Sequence, residues 1–87
     1  MSVEILRSLI ASTELRSGGL RVKLDSERLK RLTAESGYSI THLARAANLS
    51  LPTLTSAVRG GWIMPKSAFR IADALSRRQS APARLFE

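Results

Sequence analysis

The chain has 87 residues, 44% of them hydrophobic with few aromatic side chains, and it sets 14 Lys and Arg against 7 Asp and Glu for a net charge of +7. That length predicts one small domain with a core of Leu, Ile, Val and Ala, a composition better suited to packed helices than to stacked sheets. With no cysteine and a single histidine, disulfides and thiolate or zinc sites are excluded; the scattered acids and the lack of a glycine-rich phosphate loop set enzymes aside.

The first segment, Val3 to about Arg16, places Leu6, Leu9, Ile10 and Thr13 on one helical face, and Ser17-Gly18-Gly19 ends it. Acidic residues inside this apolar pattern argue against a signal peptide, and no apolar run is long enough to cross a bilayer. A cytoplasmic protein is expected, either host nucleoid-associated or phage-encoded, with no membrane contact. "LRVKLD" then alternates apolar and charged residues, as a short strand or extended arm does. Its edge either pairs with a symmetry mate or packs three side chains on its own domain.

Asp25 or Ser26 caps the next helix, which turns Leu29 and Leu32 inward and Arg28, Lys30 and Arg31 outward, and Gly37 stops it. Ser39 caps a short helix with Ile40, Leu43, Ala44 and Ala47 inward. Asn48 follows, a residue that accepts positive φ cheaply. Ser50 caps a third helix carrying Pro52 in its first turn, and Gly60-Gly61 ends it. After the loop "GWIM", Pro65 opens a fourth helix with Ala68, Ile71, Ala72 and Leu75 inward and Phe69 alongside. "SRRQSAP" reads as a polar connection, and "ARLFE" as a short helical turn returning Leu85 and Phe86 to the core.

No acidic residue lies between Glu35 and Asp73, while Arg45, Arg59, Lys66 and Arg70 all do. A charge distribution of this kind attracts polyanions, nucleic acid foremost, with anionic proteins or membrane surfaces as the other candidates. Inside this window the turn "ANLS" forces two short helices to cross steeply. If Leu54, Ala57 and Val58 face inward, Pro52, Ser56 and Arg59 lie opposite, with Thr53 and Thr55 on the flanks. A helix with so slender an outer side fits a groove about 12 Å wide.

These residues, "SITHLARAANLSLPTLTSAVRGG" from Ser39 to Gly61, resemble the helix-turn-helix of lambda-repressor-like (Cro and xenobiotic-response-element type) DNA-binding domains. The likeness lies in Leu43-Ala44, the turn Ala47-Asn48-Leu49, Ser50 to Leu54 and Arg59-Gly60. Downstream, "IADAL" and Leu85-Phe86 resemble the family's fourth and fifth helices. The chain departs from the family pattern at Ile40 (usually Gln), Asn48 (Gly), Val58 (often Glu) and in "GWIM", where basic residues are common.

The resemblance implies an all-α fold, a five-helix helix-turn-helix domain over residues 24–87; the N-terminal segment lies outside the resemblance, and its own pattern predicts an additional helix and short extended arm over 1–23. The resemblance also implies a small sequence-specific transcriptional regulator, of the phage or prophage repressor type, that needs no cofactor. Such a protein binds double-stranded DNA at a palindromic operator as a homodimer. The alternatives are an antitoxin with a cognate toxin as protein partner, and a recombination or DNA-architecture accessory protein.

By resemblance and helical wheel, Ser50, Pro52, Thr53, Ser56 and Arg59 contact bases, Arg59 reading guanine or gripping a phosphate. Ser39, Thr41, Arg45, Lys66 and Ser67 contact phosphates. His42 is a surface residue. Trp62 either closes over the core or flanks DNA or a subunit contact. Leu6, Leu9, Ile10, Leu20 and Val22 either form a dimerisation element or supply a further wall of the core.

Overall fold

The computed structural model describes residues 2–80. The helix α1 (Ser2–Leu9) ends well short of Arg16, and the chain turns directly into a strand, β1 (Ile10–Arg16). A tight turn at Ser17-Gly18 returns it as β2 (Gly19–Leu24). Gly19 takes φ +114°, a conformation strained for any residue with a β-carbon, where the hairpin doubles back. Three helices follow: α2 (Ser26–Glu35), α3 (Ile40–Ala46) and α4 (Leu51–Val58). A two-residue strand, β3 (Trp62–Ile63), then adds to β2, and α5 (Pro65–Ser80) closes the described chain.

The expectation of an all-α domain is therefore corrected. The protein is mixed α/β: five helices and one antiparallel sheet in the order β1-β2-β3 among the described residues. "LRVKLD" is extended, as its period of two predicts, but it forms the middle of the sheet, paired along one side with β1 and on the other with β3 at Val22 and Lys23; the longer of the two edge strands is β1. Residues 10–16, read as helix, pair with β2 from Ile10↔Leu24 to Arg16↔Gly19, with a bulge at Ala11. "GWIM", read as loop, holds β3. "SRRQS", read as a connection, continues α5, with Arg77 bonded to the Ala46 carbonyl at 3.1 Å and ion-paired to Asp73 one turn back. The helical turn expected at Leu85-Phe86 lies outside the described residues.

Side chains of directly paired residues share a face of a sheet. Val22 and Ile63 therefore point inward together with Leu24, and all three are buried. They join Leu9, Leu29, Leu43, Leu54, Ile71 and Leu75 in one apolar cluster, with Ala44, Ala47, Ala57, Ala68 and Ala74 allowing close helix approach. The N-terminal segment thus belongs to the same core as α3 and α4. Within it Leu9 and Val22 are buried, Leu6 and Ile10 pack partly against the cluster, and Leu20 is exposed. The second reading of these residues, a wall of the core, describes Leu9 and Val22. Ile40, expected inward, lies at the start of α3 and is exposed.

Local chemistry sets the helix ends. Asp25, Ser39 and Ser50 each accept a hydrogen bond from the backbone N–H three residues on, as N-caps do. Gly37, Asn48 and Gly60 all take positive φ just past α2, α3 and α4. In each case the residue and its successor donate back to carbonyls of the last turn: Gly37 and Tyr38 to Ala34 and Thr33, Asn48 and Leu49 to Arg45 and Ala44, Gly60 and Gly61 to Ala57 and Ser56. This is the Schellman arrangement, three times in succession. It stops α3 after Ala46 so that α4 can begin at Leu51 in a new direction.

Candidate nucleic-acid interface

The helix α4 is anchored on one side and bare on the other. Leu54 and Ala57 have no exposed surface, and Val58 packs partly against the core. Pro52 and Arg59 are exposed, and Thr53, Thr55 and Ser56 are half-buried. Leu51, 46% exposed, is the one large apolar side chain here that the helical-wheel reading did not single out.

The hydroxyls at the start of α4 are coupled. Ser50 Oγ accepts from the Thr53 amide and shares a 2.8 Å hydrogen bond with Thr53 Oγ1. Of their two hydroxyl hydrogens, one closes this bond and the other stays available for an outside acceptor, so the pair acts as one donor with a choice of origin. Further along, Ser56 is set by its neighbour: a β-carbon at Gly61 would fall 2.6 Å from Ser56 Oγ and 3.1 Å from the Ser56 carbonyl oxygen. Glycine at 61 is what lets the chain leave α4 so closely. At the helix C-cap, Arg59 is exposed.

The expected phosphate contacts divide into two groups. Ser39, just before α3, and Thr41 and Arg45 on it are exposed, and the Ser39 hydroxyl is engaged in capping the His42 amide at 3.1 Å. At the start of α5, Lys66 is exposed and Ser67 half-buried. His42 is exposed, as expected of a surface residue. Among the described residues no cluster of His, Cys, Asp and Glu could hold a metal. Arg70 bonds the Asn48 carbonyl at 3.4 Å, and with Arg77 on Ala46 it ties α5 to the end of α3 and the turn.

Two open depressions flank the Pro52–Ser56 ridge. One, of about 550 Å³, lies against Leu51, Thr55, Arg59 and the Gly60-Gly61 pair. The other, of about 370 Å³, separates α4 from the sheet and the start of α5. Thr53 and Ser56 form its α4 side, Arg21, Trp62 and Met64 its sheet side, and Ser67 closes it. Arg21 and Trp62 thus lie across a groove from residues of the expected base-reading helix.

Trp62 is half-buried and faces the outer, polar side of the sheet, paired with Lys23. The Arg16 guanidinium lies 5.2 Å and the Lys23 Nζ 5.6 Å from its ring centroid, within cation–π range. Arg21 shares this face opposite Glu14, which is ion-paired to Arg16. Sequence reasoning did not single out Arg16, Arg21 or Lys23 as site residues. The alternation in "LRVKLD" marks Arg21 and Lys23 as one face of a strand, but only the pairing of β1 and β3 shows what that face adjoins.

No family model, curated protein or solved structure matches the chain, so a functional reading rests on the residues themselves. No helix among the described residues is long and apolar enough to cross a membrane.

Proposed function

We propose that this protein is a small sequence-specific regulator, of the compact phage-repressor type, that binds double-stranded DNA as a homodimer with α4 in the major groove. The observation that carries this reading is the two-sidedness of α4. Leu54 and Ala57 fix it to the core, while Pro52, Thr53, Ser56 and Arg59 form a narrow outer side, polar apart from Pro52. The absence of acidic residues from Ser36 to Ala72 removes the repulsion that phosphates would otherwise meet there. In this pose Thr53 and Ser56 meet base edges, Leu51 and Pro52 offer apolar contact to thymine methyls, and Arg59 reaches a guanine or a phosphate. Lys66, Arg45 and the start of α3 meet the flanking backbone.

Selection of binding sites from random duplexes tests the proposal, with the wild type, Thr53→Ala and Ser56→Ala run side by side. The expected result is a defined wild-type site and a changed base preference at one or two positions for each variant. Identical preferences for all three proteins would put the reading surface elsewhere, and no preference by the wild type at low salt would end the proposal.

A further inference from the structure

We propose that the outer face of the sheet is a second duplex contact, in which Arg16 and Lys23, held over Trp62, and Arg21 beside them on the same face grip a sugar–phosphate strand beside the groove that α4 enters. The inference rests on the duplex reading of α4 and extends it to a surface the helix-turn-helix does not include.

Because Val22 and Ile63 are committed to the core, Lys23 and Trp62 must point the other way, together with Arg21. The hairpin turn then brings Arg16 back over the same indole. Three cations are gathered on one face, and Glu14 is the one carboxylate that the strand register places among them. A cation resting on an aromatic ring is held in position while its N–H donors stay directed outward, and a guanidinium so held can form paired hydrogen bonds to a phosphate.

Arg21 and Trp62 line the same groove as Thr53, Ser56 and Ser67. A strand of backbone bordering the major groove that receives α4 therefore passes over this face, between the sheet and the start of α5, where Lys66 is exposed. Each phosphate neutralised releases a counterion, and the contact is blind to sequence.

The test uses the full chain and a random-sequence duplex of about two helical turns, with a single strand of equal length beside it. Trp62 is the only tryptophan, so its emission reports directly on this face. Duplex addition is expected to change that emission and to saturate with binding. Arg21→Ala and Lys23→Ala are each expected to flatten the log–log salt dependence by about 0.9 while leaving the selected sequence unchanged. Trp62→Phe keeps an aromatic face for the cations and is expected to retain the wild-type slope; far-UV circular dichroism verifies the fold of every variant.

Wild-type slopes in Arg21→Ala and Lys23→Ala, alongside an altered preference in Thr53→Ala, would overturn this inference and leave the α4 reading standing. Tighter binding to the single strand than to the duplex, with bases quenching Trp62, would also overturn it. A wild type that binds no duplex at low salt would remove the α4 reading first, and this one with it.

Discussion

Asn48 takes φ +58° at the residue that ends α3. A left-handed backbone costs most L-residues about 1–2 kcal/mol, glycine nothing and asparagine little, because its short amide bonds locally. Asn48→Val is therefore expected to lower stability by about 1–2 kcal/mol and Asn48→Gly to leave it unchanged or slightly raised, read as urea midpoints at constant m. Equal midpoints for Val and Gly would show that the turn does not depend on this dihedral angle. Gly61 is constrained differently, by its approach to Ser56 Oγ and the Ser56 carbonyl. Gly61→Ala is expected to destabilise by about 1–3 kcal/mol, the usual cost of overpacking. Adding Ser56→Ala should recover part of that loss, since it removes the nearer of the two atoms. A double-mutant cycle measures the recovery, and strict additivity of the two changes would refute the clash.

At the scale of the element, what was legible in the sequence was local and what was not was tertiary. Three N-caps and three left-handed stops could be read from Asp25, Ser39, Ser50, Gly37, Asn48 and Gly60, because each acts on its own backbone within a few residues. The bare side of α4 was readable for the same reason, from helical period alone. Residues 10–16 were not. Leu6, Leu9, Ile10 and Thr13 fit a helical stripe, yet beyond Ile10 the segment buries no side chain and is held by backbone pairing to β2. Pairing of that kind depends on where another segment lies, which a one-dimensional pattern does not show. The same holds for the polar face around Trp62, which exists only once β1 and β3 flank β2. The break at Leu9 carries a consequence for stability. Leu9 is fully buried, and its carbonyl accepts from the Asp25 amide at 2.6 Å, joining α1 to the start of α2. Leu9→Ala is expected to cost about 2–5 kcal/mol, as for any core leucine. An N-terminal segment that served only to join two copies would instead give a small effect in chemical denaturation at low protein concentration.

At the scale of the whole molecule, the proposed function requires a surface through which two copies would meet on a palindrome. Leu9 and Val22 are taken up by the core, which leaves the outer edge of β1 and the tip of the hairpin, where Leu15 is 81% exposed and stands directly opposite exposed Leu20. An edge strand presents unpaired N–H and C=O groups, and a second copy is the partner that matches it by symmetry. A two-fold antiparallel pairing centred on Leu15 sets the two Leu15 side chains together. It also sets Glu14 of each copy against Arg16 of the other, so opposite charges meet twice. On the proposed reading the wild type sediments as a dimer, and Leu15→Lys, which places two ammonium groups at the centre of that arrangement, as a monomer. On DNA, the variant is expected to keep wild-type affinity for a single half-site and to lose the cooperative gain on a two-half-site duplex. Inserting about half a helical turn, roughly 5 base pairs, between the half-sites should abolish that gain in the wild type, because the two α4 helices would then face opposite sides of the duplex. A Leu15→Lys protein that still sediments as a dimer would move the interface away from β1, while loss of dimerisation without loss of half-site binding would assign assembly to the hairpin edge and sequence reading to α4.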